Sequence, residues 1–496
     1  MGFSSAVGEM GEKIGAAVRL DRAPLKYEGL SPVEVWISEA QERMVLAVPA
    51  ENVEAIAAIC DRHDVEWCDL GEFGTPDREL VLHWGDVEVG RIAMEFMHDG
   101  VPMPLREAVW DPEWAAREAG GDDVGMESMR AIGDVAGVFD MTATLLGHPN
   151  LASKAWIVRQ YDHEVQGGSV VKPFVGPNAG PGDAAVIRPV PDRPRGLAIG
   201  HGLATGLARD PYVMGLAAID ECVRNMVCVG ADPDRIAILD NFCWPGCDDP
   251  RNLGSLVRAA EACLDGGLAY RTPFVSGKDS LNNQFTTEDG RTIRIPPTLL
   301  ISGMGIFPEE RLATTMDAKR PGSRLLAIGT TTNHLGGSHY LRIGGDPAAG
   351  VDELPVVDLE LGPRIARIVH DAIRQGLVRS AHDASEGGIL PAAIEMAFAG
   401  GLGLEFDLDA VPVEGGAVSS VARAFAENHS RYLLEVAESD LPALERLFAG
   451  IPHGVVGTFV ETGSDGGGIS VSAADLGSAS DVASRFEDAW KRGCDR

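Results

Sequence analysis

Glu221 and Asn225 stand four residues apart in a stretch with helical patterning, so both project from one helix face. Oxygen ligands spaced this way suit a hard cation such as Mg2+, which takes one or two carboxylates and completes its shell with water and phosphate. A solvated helix face has the same spacing. Asp240 follows the apolar run Arg235-Ile236-Ala237-Ile238-Leu239, at the end of a predicted strand, where α/β proteins tend to place site residues. Val275-Ser276-Gly277-Lys278-Asp279-Ser280 has phosphate-loop composition, but a Walker motif needs Gly at 272 and Ser or Thr at 279, where the chain has Thr and Asp. Its backbone N–H groups and the Lys278 cation can still hold phosphate. His382-Asp383-Ala384-Ser385-Glu386-Gly387-Gly388 precedes a predicted helix and reads as a plain N-cap by Ser385 or Asp383, or as an anion or metal site. Gly182-Asp183-Ala184-Ala185-Val186 is a glycine-acid turn into a strand, ordinarily only a turn. A Ser/His/Asp hydrolase is a weak option, because no Gly-x-Ser-x-Gly elbow surrounds any serine.

The elements that must position these residues alternate between residues 182 and 303. Strands are expected at 184–187, 196–199, 235–239 and 273–276, and helices over 214–229 and 253–266, an α+β region with mixed strands. Residues 102–121, rich in Pro, Glu and Arg, read as a connector, and 126–147 and 150–163 carry helical patterning. Further on, a strand is expected at 325–328 and a helix over 361–375.

The chain also repeats itself. Ala6, Glu9, Met10, Gly15 and Asp21 match Ala392, Glu395, Met396, Gly401 and Asp407 at a spacing of 386. Glu39, Arg43, Leu46, Val48 and Ala55 match Glu427, Arg431, Leu434, Val436 and Ala443 at 388, and Gly71 and Phe73 return to 386 with Gly457 and Phe459. Each copy reads helix, strand, strand, helix, strand. The second copy is preceded by a full α/β stretch from Gly305, whereas the first begins inside the unit, so its sheet is expected to carry an unpaired edge that another chain completes.

Composition narrows the class. With 42 Lys plus Arg against 74 Asp plus Glu, a net charge of -32, binding to nucleic acid or anionic membrane by bulk charge is a poor expectation. An apolar content of 45% excludes general disorder. The 60 glycines have no period, which excludes collagen. The eight cysteines form no Cys-x-x-Cys pair, as expected of reduced thiols, and a zinc site at Cys243 and Cys247 would need a second pair. The longest weakly polar run, 296–307, is far below the ~18 residues of a membrane span, and the N-terminus lacks a signal pattern, so the chain reads as cytoplasmic.

Taken together, Ser38 to Met44, Asn150-Leu151-Ala152-Ser153-Lys154, Gln160-Tyr161-Asp162-His163, Gly182 to Val186, Arg224-Asn225, Val275 to Asn283 and His382 to Gly388 resemble the synthetase-subunit family of phosphoribosylformylglycinamidine synthase, within the aminoimidazole-ribotide-synthase-like (PurM-like) superfamily. The resemblance covers nearly the whole chain. It implies an α+β fold: a tandem of an ATP-type mixed-sheet domain and an α/β C-terminal domain, with a partial copy of the latter at the N-terminus. The implied divisions are 1–115 for the partial copy, 116–149 for linker and helices, 150–305 for the ATP-type domain and 306–490 for the complete C-terminal domain.

The implied reaction is ATP- and Mg2+-dependent conversion of formylglycinamide ribonucleotide and ammonia to the amidine. Ammonia would come from a glutaminase subunit, with a small bridging subunit as a further partner. By the resemblance, Glu39, Ala40, Gln41 and Ser280 contact substrate, Asp240, Gly277, Lys278 and Ser385 contact nucleotide, and Glu221, Asn225 and Asp383 hold magnesium. His201 stands where the family often has an Asp ligand, and Lys278 where some members have Asn. The family's catalytic His lies in a segment N-terminal to Met1, so no catalytic residue is assigned, and a chain carrying the first half is the expected partner. The alternative expectation is a structural or regulatory half, or a truncated product, that binds nucleotide without turnover.

Overall fold

The computed structural model describes residues 2–40, 43–119, 131–307, 309–462 and 467–494. It divides into two compact units, Met1–Arg106 and Glu107–Arg496. Residues 107–115 thus fall with the larger unit. The Val109 N–H donates to the Pro250 carbonyl, and Trp110 and Trp114 lie under the guanidinium groups of Arg258 and Arg251. The connector is also partly helical, over Pro112–Ala119.

In the first unit, helix α1 (Phe3–Gly11) leads to strand β1 (Ala16–Arg19), and helix α2 (Val53–Arg62) to strands β2 (Gly71–Phe73), β3 (Glu79–Trp84) and β4 (Val87–Ala93). The sheet order is β2-β1-β3-β4. Phe3, Val7, Val18, Leu20 and Leu80 form its core.

After the Pro112–Ala119 helix the second unit continues with helix α3 (Val135–Leu146), and its described residues form two large sheets beside two two-stranded ones. The first comprises β5 (Ser169–Val171), β6 (Ala185–Ile187), β7 (Gly196–Leu203), β8 (Ile236–Cys243), β9 (Phe274–Ser280) and β10 (Thr298–Phe307), in the order β9-β8-β10-β7-β6-β5. Only β8 and β9 are parallel, so the sheet is mixed. Helices α4 (Pro211–Cys228) and α5 (Pro250–Tyr270) cover one face. The other face leaves Ile199, Leu239 and Met304 exposed. The second sheet comprises β11 (Arg324–Ile328), β12 (Val378–Asp383), β13 (Gly403–Asp407), β14 (Tyr432–Val436), β15 (His453–Val460), β16 (Gly467–Ala473) and β17 (Gly477–Val482), in the order β12-β14-β11-β15-β13-β16-β17. Helices α6 (Leu361–Arg374), α7 (Ile389–Gly400), α8 (Leu441–Leu447) and α9 (Ala483–Arg492) belong with this sheet.

The repeat is visible in hydrogen bonds. Ala16 faces Phe73 and Leu80 as Leu404 faces Phe459 and Ile469, so β2-β1-β3-β4 reproduces β15-β13-β16-β17. Arg43 Nη2 donates to the Ser38 carbonyl, and Arg431 Nη2 makes the same bond to Ala426. Gly2 and Gly388 cap equivalent helices; a Cβ on either would lie 2.6 Å from the carbonyl oxygen of Ser38 or Ala424.

Three expectations are corrected. The strand register sets Ala16 against Leu404, a spacing of 388, so Asp21 corresponds to Asp409 in the matching 3-10 turn and not to Asp407. Residues 44–48, the counterpart of β14, are not a strand. In the second unit β14 is held between β11 and β12, and among the described residues of the first unit no strand takes either place. Of 150–163 only Ala155–Val158 is helical, because Trp156, Ile157 and Tyr161 are exposed and gain no burial from a longer helix.

Arg431 is 1% exposed and satisfies Thr331 Oγ1 and the carbonyls of Ala426 and Asn428, whereas Arg43 is only half-buried. Arg431→Ala is expected to lower unfolding free energy in chemical denaturation by about 3 kcal/mol, and Arg43→Ala by about 1 kcal/mol or less.

Candidate functional site

Helix α4 is started by Asp210, whose carboxylate accepts the Tyr212 N–H, and by Pro211 in the first turn. It lies between the six-stranded sheet and the C-terminal domain, so Asp220, Arg224 and Asn225 are buried on it. Across from it β12 ends at Asp383, and the chain reverses through Gly387 and Gly388, both with φ near +90°, before α7 begins. Only glycine adopts two such residues in succession without strain.

Asp183 and Asp383 meet here. Asp183 Oδ1 accepts His382 Nδ1–H at 2.7 Å and the Asp383 N–H at 3.1 Å, while its Oδ2 is buried without a hydrogen-bond partner. Ligand atoms of Asp183, His382 and Asp383 lie within 4.8 Å of one another. His382 Nε2 faces Glu395 at 3.3 Å. Burial pushes the imidazole toward neutrality, but Asp183 and Glu395 outweigh it and hold His382 well above its ordinary pKa, as imidazolium. Asp383 Oδ2 accepts Arg224 Nη1–H at 3.1 Å and the Ser385 hydroxyl. Glu221 accepts the Leu203 N–H at 2.7 Å, and its carboxyl is raised by burial and by the charges of Glu386 and Asp383.

Glu221 and Ser385 line one cleft, Asp383 touches it through Ser385 and Arg224, and Asn225 lies one turn along from Glu221, its Nδ2 donating to the His201 carbonyl. The His201 side chain is exposed on the open face of the sheet. The carboxylate near Asp383 belongs instead to Asp183, whose motif marked it only as a turn residue. A buried, unpartnered carboxylate oxygen beside further carboxylates fits a hard divalent cation. The cavity lined by Glu221, Arg224, His339, Ser385, Glu386 and Glu427 measures about 40 Å3, room for an ion or one or two waters. Sites for drug-sized ligands run to ~300 Å3 and more, so a nucleotide requires these side chains to open.

Glu427 and His339 were not anticipated. The Glu427 carboxylate accepts N–H groups of His339 and Gly387, both at 2.8 Å, and Asn150 Nδ2 approaches His339 Nε2 at 2.9 Å. The signal was the repeat, in which Glu427 matches Glu39.

Asp240, Gly277, Lys278 and Ser280 form a second group. Asp240 faces Gly277 across the parallel β8–β9 pair, and Cys243 faces Ser280. Asp240 aligns through Ile301 with Gly202, two strands away, roughly 10 Å from the chain that Glu221 and Asn225 touch. Asp240 thus stands two strands apart from the cluster of Glu221, Asn225 and Asp383. Burial, then the charge of Asp279, raises the Asp240 carboxyl. A Cβ on Gly277 would lie 2.3 Å from Asp240 Oδ1, so glycine is needed for the carboxylate to lie flat along β9. Gly277 and Lys278 are exposed on this edge strand, and Lys278 Nζ donates to the Asp279 carbonyl. In the first unit Glu39 and Ala40 are exposed in the loop after Pro32–Ile37; Gln41 lies outside the described residues.

Comparison with known proteins agrees with this layout. The model of the AIR synthase related protein C-terminal domain matches residues 1–83 and 320–470, and that of the N-terminal domain matches 181–306. The chain is 33% identical over 450 residues to the phosphoribosylformylglycinamidine synthase subunit PurL of Thermococcus sibiricus, covering 90% of this chain and 58% of that protein. The chain thus spans less than two thirds of the relative's length. It is similar in fold to T. maritima PurL complexed with ADP, with a TM-score of 0.57 and 21% identity over 93% of this chain and 63% of that one. T. maritima PurL complexed with FGAR gives 0.54 and 16%, over 71% and 53%.

His429 borders the cleft, and burial pulls its pKa down to about 4. An unfolded histidine titrates near 6.5, so the unfolded chain takes up this proton first as pH falls. Stability present above pH 6.5 is therefore expected to decline toward pH 4, by up to about 3 kcal/mol from this residue. Guanidinium denaturation at pH 7 and 4.5 should show a smaller decline in His429→Asn.

Proposed function

The chain belongs to the AIR synthase related family, and on that premise we propose that it forms the second half of a phosphoribosylformylglycinamidine synthase synthetase subunit. The reading is carried by 33% identity to a PurL subunit in an alignment that covers 90% of the chain. In this proposal ATP transfers its γ-phosphoryl group to the amide oxygen of formylglycinamide ribonucleotide, ammonia attacks the activated carbon, and phosphate leaves, giving the amidine and ADP. An amide carbonyl is a poor electrophile, and converting its oxygen into phosphate provides a leaving group. Mg2+ supplies charge neutralisation on the transferring phosphoryl group.

The chain's own residues divide between the two places described. On the exposed β9 edge, Asp240 and Gly277 would meet nucleotide, Lys278 a phosphate and Ser280 the substrate, open to a polypeptide carrying the first half. The exposed sheet face with Ile199, Leu239 and Met304 supports such a partner. Glu39, Ala40 and Gln41 would contact substrate from the first unit. Glu221, Asn225 and Asp383, now with Asp183, would hold Mg2+ in the second site, with Ser385 beside a nucleotide. A glutaminase subunit would supply ammonia, with a small bridging subunit between. Among the described residues no helix is long and apolar enough to cross a membrane, which is compatible with a cytoplasmic location.

With ammonium, ATP, Mg2+ and formylglycinamide ribonucleotide, the purified chain alone is expected to show no turnover, and a first-half chain should restore it. Robust turnover by the chain alone would place the chemistry here and overturn the division proposed. In the assembled enzyme Gly277→Ala should displace Asp240 and raise KM for ATP about tenfold, or ~1.4 kcal/mol, with little change in Tm.

A further inference from the structure

We propose that Arg224 is a positioning residue for the cation that Asp183 and Asp383 would share, an inference that rests on the metal reading above. Arg224 Nε donates to Asp220 Oδ2 at 2.7 Å, and Nη1 donates to Asp383 Oδ2 and to the Ala384 carbonyl, both at 3.1 Å. The side chains of Asp220 and Arg224 are 1% and 2% exposed, so water does not compete for these bonds. Asp220 is fixed in turn. It accepts the Tyr270 hydroxyl, the Ser430 N–H at 2.9 Å and the Ser430 hydroxyl at 2.5 Å. The guanidinium is therefore clamped at one end and presents its fork at the other.

For Asp383 the result is an asymmetry. Oδ2 is occupied by Arg224 and Ser385, while Oδ1 lies on the side of His382, 3.9 Å from Nδ1. Asp183 is on that side too, and its buried Oδ2 lacks a partner. Arg224 thus occupies Oδ2 of Asp383 and leaves Oδ1, on the side of His382, for a cation that the nearby Asp183 would share, one carboxylate from each domain. It is not itself a ligand and acts through Asp383. Lysine would keep the charge, but a point donor on a flexible stem cannot hold Asp220, Asp383 and Ala384 together.

The test titrates the full chain with Mn2+ alone, by calorimetry and by thermal unfolding with and without the metal. Arg224→Lys is expected to weaken Mn2+ binding tenfold or more and to shrink the Mn2+-induced rise in Tm, whereas Tyr270→Phe should lower Tm with affinity kept within about twofold. A merely structural network would move Tm in both variants and affinity in neither. If Arg224→Lys does not fold, Asp220→Asn, which loosens the clamp, takes its place with the same expected loss. Unaltered Mn2+ affinity in the folded variant overturns this proposal alone. A wild-type chain that binds no Mn2+ overturns the metal reading and this proposal with it.

Discussion

A desolvated guanidinium must find fixed partners or leave the interior, and Arg224 is where this fold meets that requirement. Its helix supports the six-stranded sheet on one side and the C-terminal domain on the other. The partners of the Asp220–Arg224 pair come from both domains: Tyr270 from one, Ser430, Asp383 and Ala384 from the other. Such a network contributes little net stability, but it admits only one relative placement of the domains. Asp183 and His382 repeat the arrangement nearby, again one residue from each domain. The cleft is thus shaped by buried charges that cannot shift singly.

Much of this was legible in the residues, and the gaps have physical causes. The duplication survived in the sequence because the hydrogen bond of Arg43 to Ser38, and of Arg431 to Ala426, needs the same residue at the same offset. Glu221 and Asp383 were readable as oxygen donors, but the separation of Asp240 from them was not, because it depends on the strands between them, and strand order is not local. Position 201, where the family often has an Asp ligand, is turned away by strand alternation. Gly200 and Gly202 face α4, where a Cβ on either would meet Met226 or the backbone of Ala218, so His201 between them faces away. Asp183 precedes its strand in a turn, where no periodicity announces direction.

Two surfaces of the molecule are unfinished in different ways. The open face of the six-stranded sheet has satisfied backbone and exposed apolar side chains at Ile199, Leu239 and Met304. The outer edge of β2 has the reverse problem, unpaired backbone on a short strand, and shortness is one way a protein limits unwanted pairing there. The first surface calls for shape complementarity and the second for a strand.

Residues 44–48 carry a consequence of their own. Their exposure still alternates as along a strand, with Arg43 and Val45 half-buried and Met44 and Leu46 at 84% and 63% exposure, but among the described residues they make no ladder. An extended backbone with free N–H and C=O groups is the form that proteases and chaperones bind in their own clefts, by the same edge pairing that builds sheets. Covering those few amides in an assembly would remove such a handle, so the segment is where an assembled molecule would differ most, to a protease, from a solitary one.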